Sequence, residues 1–329
     1  RGLMLGVAYA ASIGGVATII GTPPNTVMAG MVEKMFGVQI GFGQWMLFGV
    51  PLSAVTLAIA WLLLTRILFP TGNMELAGGA KIINDEVKKL GPMSSEEKKI
   101  VIVGCFMAAF WLARGFMAQS ATVLSIMPQF KFVGDSTIAI LGALILFAIP
   151  VDFKRSKFLL DWKTAVKIPW DVILLFGGGL AIANGFAQTG LAGYIASQLG
   201  ALEGASMVIF VGAVVLITIF LTEITSNTAT ATLLVPIMGS AAIAMGVHPF
   251  ATIVAACVAA SYAFMLPVAT PPNAVVFGSG CVTIKQMAKA GLWLNIIGTL
   301  LITAFVVYIL PALWGIDLNV VPEWAVMPK

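Results

Sequence analysis

Charged side chains are scarce in this sequence of 329 residues: only 10% are Asp, Glu, Lys or Arg, whereas 60% are hydrophobic. A water-soluble domain carries roughly 25% charged residues, so the composition excludes a soluble enzyme, a disordered chain and a nucleic-acid-binding protein. Cysteines are also few, and Cys105, Cys257 and Cys281 lack the close spacing of a zinc site or a disulfide framework. The sequence therefore predicts an all-α polytopic membrane protein.

The motifs of pumps and proteases are missing as well. The run Gly177–Gly179 has no preceding strand pattern and no following Lys-Ser or Lys-Thr, so it does not predict a nucleotide-binding loop. The sequence has one histidine, His248, and no His-Glu-x-x-His motif. We therefore expect neither an ATP-driven pump nor an enzyme, and no catalytic residue is predicted.

Apolar stretches that could cross a bilayer are present instead. A spanning helix needs about 20 mostly apolar residues, and the clearest candidates are 44–69, 100–117, 136–151, 171–186 and 291–313. Two further stretches, 204–244 and 252–280, are interrupted by polar triplets and prolines. Lys and Arg cluster in 66–99 and 154–167, which predicts that both connections are cytoplasmic and that the C-terminus is external.

Aromatic residues mark the predicted membrane interface. Phe158, Trp162 and Val166 recur every four residues opposite lysines, which predicts an amphipathic interfacial helix over 154–169, with a plain surface loop as the alternative. Tryptophans at the ends of spans are predicted to be interfacial anchors: Trp45, Trp170, Trp293 and Trp314.

One tetrapeptide occurs twice within apolar sequence. Thr22-Pro23-Pro24-Asn25 returns 248 positions later as Thr270-Pro271-Pro272-Asn273. Proline clashes with the carbonyl four residues earlier, so we expect free carbonyls at Ile19, Ile20, Pro267 and Val268. Non-helical backbone at membrane depth is tolerated where it is buried or lines a wet cavity, and carbonyl oxygens suit a hard cation. Each motif therefore predicts a Na⁺ site, with a simple proline kink as the alternative.

A dense polar run at 222–230 separates the apolar arms 207–221 and 233–244. Two short arms with a polar tip predict a re-entrant hairpin. Ser226, Asn227 and Thr228 would begin the second arm, where unpaired N–H groups and the helix dipole favour an anion. Polar contacts between two helices are the alternative. Glu223 is costly to bury in a membrane, and the sequence names no partner for it.

Broken helices at corresponding positions of two halves are typical of inverted-repeat secondary transporters. Ser226 precedes Thr270 by 44 residues. The matching Ser-Asn-Thr of the first repeat would then lie upstream of Arg1. We therefore expect the chain to contain the whole second repeat and only the tail of the first.

The same motifs carry a family resemblance. Ser226-Asn227-Thr228, the run from Ser261 to Asn273, and Asp161-Trp162 leading to Gly177–Gly179 resemble the divalent anion/Na⁺ symporter (DASS) family, the INDY-type dicarboxylate carriers. The resemblance covers the whole chain. It implies Na⁺-driven symport of dicarboxylates such as succinate, malate and fumarate by a homodimer with an elevator mechanism. It also implies a multi-pass protein of the bacterial inner membrane, in contact with lipid and not with nucleic acid.

The resemblance assigns roles to individual residues by motif position. The implied substrate-binding residues are Ser226, Asn227, Thr228, Pro271, Thr22 and Pro23. The implied Na⁺ ligands are Thr222, Thr225, Asn227 and Ala269 at one site and Gly21 at the other. The first Ser-Asn-Thr, which in the family completes the sites, is absent from the sequence. A dicarboxylate, citrate or sulfate exchanger of the same fold stays open, and so does an anion channel, although duplicated cation sites favour coupling.

The expected domain organisation follows from these assignments. Residues 1–43 form the tail of the first transport domain, 44–70 a span, 71–97 a cytoplasmic linker, 98–203 scaffold-type spans with the interfacial helix 154–169, 204–290 the second transport domain, and 291–329 the last span and the external C-terminus.

Overall fold

The computed structural model of the chain describes residues 1–70, 79–152, 157–168, 170–190, 194 and 206–326. These residues are mostly helical, and four helical stretches are long and apolar enough to cross a membrane: 42–68, 95–118, 227–244 and 284–314. The prediction of an all-α membrane protein is therefore confirmed. The chain divides into two compact units. Unit 1 contains residues 1–40, 44–70 and 171–329, and unit 2 contains residues 41–43 and 71–170.

The elements follow one another in chain order. The first three helices are α1 (Gly2–Gly15), α2 (Pro23–Phe36) and α3 (Phe42–Leu62), which continues as a π-helical turn (Leu63–Leu68). Next come α4 (Gly79–Leu90), α5 (Ser95–Gln119), α6 (Ala121–Ile126), a 3₁₀ turn (Pro128–Phe132), α7 (Asp135–Ala148), β1 (Pro150–Asp152), β2 (Lys157–Phe158) and α8 (Trp162–Ala165). The last described elements are α9 (Trp170–Thr189), α10 (Met207–Thr222), α11 (Asn227–Ala244), α12 (Phe250–Ala259), α13 (Pro271–Gly278), α14 (Ile284–Ala304) with a π-helical turn (Phe305–Ile309), α15 (Leu310–Trp314) and α16 (Glu323–Val326).

Two non-helical breaks interrupt the helices of unit 1. The first break, residues 16–22, separates α1 from α2, and the second, residues 260–270, separates α12 from α13. Thr22 and Thr270 cap the second arm of each pair, with nearly identical extended backbones (φ −146° and −142°). The prolines after them occupy the first helical turn, where no N–H partner is needed. They therefore begin a new helix and do not kink a continuous one.

The elements that follow the two breaks also correspond. The long helices α3 and α14 begin at Phe42 and Ile284, and each turns π-helical 21 residues later, at Leu63 and Phe305. Both pairs of positions are 242 residues apart. The two segments thus share the order broken helix, long helix and π-helical turn.

Glycines at matching positions allow α3 and α14 to approach the breaks. A Cβ at Gly49 would lie 2.8 Å from the carbonyl oxygens of Val16 and Ala17, and a Cβ at Gly291 would overlap the Phe264 carbonyl group. Gly49 and Gly291 are also 242 positions apart. Each long helix therefore needs a glycine where it crosses its break.

The arms of the two broken helices pack reciprocally, because α1 contacts α13 and α12 contacts α2. Every residue of α12 is buried, as expected of a helix that is apolar on all sides. Helices α10 and α11 pack against α12 as well. The core of unit 1 therefore lies around α12, beside both breaks.

Unit 2 is built around the pair α5 and α7. Val103, Met107 and Ile138 form its apolar core. Near the end of α5, Arg114 Nη1 pairs with Asp135 Oδ1 at 2.9 Å, and Asp135 Oδ2 accepts the Phe42 N–H at 3.2 Å. This ion pair ties the start of α7 to α5.

The predicted interfacial helix over 154–169 is wrong in its extent. Residues 157–158 pair with β1 as a short antiparallel strand, and Leu159 and Leu160 donate to carbonyls at the end of α7. These bonds hold the backbone out of a helix until Asp161, whose side chain caps the four-residue α8. Residues 153–156 and 169 lie outside the described residues, as do most of 191–205. The predicted linker 71–97 contains the helix α4.

Candidate functional site

A cavity of about 480 Å³ lies in unit 1 where the two breaks meet the α10–α11 turn. All six residues predicted to bind substrate line it: Thr22, Pro23, Ser226, Asn227, Thr228 and Pro271. Of the predicted Na⁺ ligands, Gly21, Asn227 and Ala269 also line the cavity. Thr222 and Thr225 are not among its lining residues. The structure thus brings the two motif regions together, and the roles of these residues remain predictions.

The cavity also includes Pro24, Val268, Thr270 and Pro272, which belong to the repeated motifs expected to form Na⁺ sites. Five further lining residues were assigned no role from the sequence: Ala11, Ser12 and Gly15 of α1, Val172 of α9, and Ser261. Ser261 Oγ lies 3.5 Å from Thr22 Oγ1 and so joins the two breaks. A polar residue within an apolar segment was the available signal for Ser12 and Ser261, whereas nothing in the sequence marks Val172.

Three helices begin at the cavity. Their N-caps are Thr22 for α2, Ser226 for α11 and Thr270 for α13, and all three line the cavity wall. The first turn of a helix presents unpaired N–H groups and about half a positive charge. Three such ends converge here, so the arrangement can bind an anion.

No charged side chain is found among the described residues that line this cavity. Its polar side chains are hydroxyl and amide groups, which donate hydrogen bonds without carrying charge. Among the described residues, the groups that favour an anion here are therefore helix N-termini and neutral hydrogen-bond donors. An anion with two full charges needs a further cation for balance.

Oxygen ligands suitable for a hard cation lie next to this cavity. Thr222 Oγ1 lies 2.7 Å from Asn227 Oδ1 and 3.0 Å from the Ala260 carbonyl oxygen, so its one O–H can donate to either. The Thr225 hydroxyl instead lies 2.6 Å from Thr230 Oγ1 and donates to the Leu221 carbonyl. Hydroxyl, amide and carbonyl oxygens are the donor set that hard cations prefer. Thr222 and Asn227 are thus close enough to share one ion.

The asparagine of each repeated tetrapeptide braces its own break. Asn25 Nδ2 donates to the carbonyls of Val16 (3.2 Å) and Thr18 (2.9 Å). Asn273 Nδ2 donates to those of Ala263 and Leu266, both at 3.1 Å. Thr18 and Leu266 are 248 positions apart, like the asparagines themselves. The motif therefore includes an asparagine because its amide satisfies carbonyls that the break leaves unpaired.

Two predictions for residues at or beside the first break are wrong. The Ile19 carbonyl accepts the Thr26 hydroxyl at 2.8 Å, so it is not left unpaired as predicted. Trp45 is fully buried and its indole N–H donates to the Val16 carbonyl at 2.9 Å, so it is not an interfacial anchor. A buried carbonyl without a partner is costly, and nearby side chains supply the missing donors in both cases.

Comparison with known proteins gives a consistent result. The sequence pattern of the family described as "Sodium:sulfate symporter transmembrane region" matches residues 1–318. The chain is 41% identical over 320 residues to proteins named "Sodium-dependent dicarboxylate transporter SdcS" from Staphylococcus saprophyticus and Staphylococcus aureus (strain USA300). These matches cover 97% of the chain and 60% of each relative, so the chain spans less than two thirds of their length. Because the family pattern matches residues 1–318, the chain belongs to the sodium:sulfate symporter family, a family of multi-pass membrane transporters and not of enzymes, as its motifs predicted.

Proposed function

We propose that the chain, within its full-length protein, serves Na⁺-coupled symport of dicarboxylates such as succinate, malate and fumarate. The observation that carries this proposal is the cavity itself. It combines three helix N-termini with neutral polar side chains and lacks charged side chains among its described residues. At about 480 Å³, it falls within the range of roughly 300–1,000 Å³ typical of small-molecule sites.

The charge balance explains why transport would depend on Na⁺. Moving a dianion into a low-dielectric site without compensating charge is strongly unfavourable. The helix ends supply only partial charges, so bound Na⁺ would supply the rest. We propose that Thr222, Thr225, Asn227 and Ala269 bind one Na⁺, that Gly21 contributes to another, and that Ser226, Asn227, Thr228, Thr22, Pro23 and Pro271 contact the substrate.

The names of the relatives support a dicarboxylate over sulfate as the substrate. Both relatives are named sodium-dependent dicarboxylate transporters, at 41% identity. Because they are longer than this chain, we propose that residues outside it complete the site, including the expected first Ser-Asn-Thr.

We also propose an inverted repeat, a re-entrant hairpin formed by α10 and α11, and elevator-type movement of a transport domain in a homodimer. The reciprocal packing of the broken helices supports the repeat, because a two-fold relation exchanges α1 with α12 and α13 with α2. Gly49 and Gly291 are separated by the same number of residues as the starts of the two π-helical turns, and this equal spacing supports the repeat as well. The domain boundaries given above follow from the same proposal.

The test is uptake of succinate by the full-length protein in liposomes. An inward Na⁺ gradient should drive accumulation, and replacement of Na⁺ by choline should abolish it. Uptake that is independent of Na⁺ but faster when the liposomes contain dicarboxylate would indicate an exchanger and not a symporter. Flux that is neither saturable nor accumulative would indicate a channel.

Substitutions in the cavity test the location of the site. Asn227→Ala and Thr228→Val should each reduce uptake by at least tenfold, because each removes a polar group from the start of α11. Thr122→Val changes an exposed residue of α6 and should leave uptake unchanged. Normal uptake in both cavity variants would remove the α10–α11 turn from the site.

A further inference from the structure

In the sequence, Glu223 lies between Thr222 and Thr225, two of the proposed Na⁺ ligands. Its side chain is almost completely buried. It is 3% exposed, and no other Asp, Glu, Lys or Arg whose burial the structure describes is buried. Among the described residues, no Lys or Arg forms an ion pair with it. Its partners are four N–H donors, three from the backbone and one from a side chain.

The three backbone donors belong to the second break. Glu223 Oε1 accepts the N–H groups of Phe264 (2.7 Å) and Met265 (2.9 Å), and Oε2 accepts that of Leu266 (3.0 Å). From α14, Asn295 Nδ2 donates to Oε1 at 2.8 Å. Four donors and no acceptor partner are the hydrogen bonds of an ionised carboxylate.

These bonds fix the direction of the peptide groups in the break. In a trans peptide, the N–H of one residue and the C=O of the preceding residue point in opposite directions. The carbonyls of Ala263, Phe264 and Met265 are therefore turned away from Glu223. The Ala263 carbonyl accordingly meets the amide of Asn273.

The neighbouring residue holds the other end of the same break. Thr222 Oγ1 lies within hydrogen-bond distance of both the Ala260 carbonyl oxygen and Asn227 Oδ1. Thr222 and Glu223, at the end of α10, thus form hydrogen bonds with the break at residue 260 and at residues 264–266. The break in turn leads into Ala269, Thr270 and the start of α13, which line the cavity.

We propose that Glu223 is a positioning residue whose carboxylate orients the second break and so sets the Na⁺ affinity of the site that Thr222, Asn227 and Ala269 form. This inference rests on the proposed function. Glu223 acts through the backbone and does not contact the ion. Its carboxylate is bonded to N–H groups and to no cationic side chain among the described residues, which also favours a cation nearby.

The test is the Na⁺ dependence of succinate uptake by the full-length protein, comparing wild type with Glu223→Gln. Glu223→Gln keeps the shape of the side chain but removes the charge and replaces one acceptor oxygen by a donor, which faces an N–H. Loss of a group that orients metal ligands typically weakens metal affinity by about 10–100-fold. We expect the half-saturating Na⁺ concentration to rise at least tenfold, with a smaller change in the maximal rate at saturating Na⁺. Glu33→Gln is the matched control, because Glu33 is exposed on α2.

A second variant and a second readout cover the case in which Glu223→Gln does not fold. Asn295→Ala removes a single donor and should raise the half-saturating Na⁺ concentration by a smaller factor. Hydrogen exchange of a peptide covering 262–267 should speed up in both variants and not in Glu33→Gln. Unchanged Na⁺ dependence in folded Glu223→Gln, or in Asn295→Ala if Glu223→Gln does not fold, would overturn the inference. Absence of Na⁺ dependence in the wild type would overturn the proposed function instead.

Discussion

At the residue scale, the repeated asparagines show how a polar side chain stabilises unwound backbone inside a membrane protein. Asn25 and Asn273 are fully buried, and each donates to two carbonyls of its own break. The carbonyls of a break lack their helical N–H partners, so each asparagine amide takes the place of the missing N–H groups.

Asn273→Ala should therefore destabilise the protein. The substitution leaves the carbonyls of Ala263 and Leu266 without their side-chain donor, and each unsatisfied buried acceptor costs about 1–3 kcal/mol. A thermal unfolding scan in detergent should show a clear decrease in Tm. Asn319→Ala, at an exposed position with one local side-chain contact, is the control and should leave Tm unchanged. Equal Tm values for the two variants would contradict the bracing role.

His248 gives a residue-scale prediction about pH. Burial lowers the pKa of His248 to about 4, although Asp317 opposes the shift, and its ring packs against Trp324. The unfolded chain, with a pKa near 6.5, therefore binds more protons between pH 6.5 and 4, so stability falls as the pH decreases through this window. Tm should decrease between pH 7 and 4.5, and by less in His248→Asn, whose amide can still accept the Phe250 N–H. An identical pH dependence in both proteins would exclude His248 as the cause.

The positions of the breaks could be predicted from the sequence, but the hydrogen bonds that hold them could be predicted only in part. The Thr-Pro-Pro-Asn repeat located both breaks and the cavity, because prolines in apolar sequence are a strong local signal. The partners of Glu223 and Trp45 could not be predicted, because Phe264–Leu266 and Val16 are distant in sequence and offer backbone groups that every residue has.

At the element scale, close approach of helices to the breaks depends on glycine. Gly291 lies against the carbonyl group of Phe264, where any side chain would overlap backbone atoms. Backbone cannot move aside as a flexible side chain can, so the fold requires glycine at this crossing.

Gly291→Ala should disturb the second break directly. Overpacking of this kind costs about 1–3 kcal/mol, and the displaced backbone includes residues bonded to Glu223. We expect a lower Tm and a higher Na⁺ requirement for uptake by the full-length protein. Gly14→Ala is the matched control, because a Cβ at this position of α1 would meet nothing within 4 Å. Similar behaviour of the two variants would show that the crossing tolerates a side chain.

The predicted spans and the observed helices agree where one long apolar run decides the structure. The stretch 44–69 corresponds to α3 with its π-helical turn, and 100–117 lies within α5. Prediction and structure disagree at 154–169. The four-residue spacing of hydrophobic side chains there predicts a helix, but the N–H groups of Leu159 and Leu160 instead bond to carbonyls at the end of α7. These bonds require a turn in the chain, which the spacing of hydrophobic residues does not indicate.

At the scale of the whole molecule, the orientation in the membrane is a prediction from the positive charges of two connections. Lys88 lies on the exposed helix α4, within the connection predicted to be cytoplasmic. In a background with Cys105→Ser and Cys281→Ser, Lys88→Cys should react with a membrane-impermeant thiol reagent only from the cytoplasmic side. Labelling from the outside would invert the predicted topology, including the external position of the C-terminus.

The sequence predicted which segments of unit 1 meet better than it predicted the charge of the cavity between them. Two copies of one tetrapeptide and a Ser-Asn-Thr indicated which segments meet, and the structure places all of them around one cavity. The absence of charged side chains from the described lining could not be read from the sequence, because it depends on which residues the fold brings together.

The most direct test of the account is binding of succinate to the purified full-length protein, measured by calorimetry in NaCl and in choline chloride of equal ionic strength. The described residues of the cavity offer a dianion helix N-termini and neutral donors but no charged side chain, so we expect saturable binding in Na⁺ and none in choline. Equal succinate affinity in the two salts would contradict the claim that Na⁺ supplies the missing positive charge.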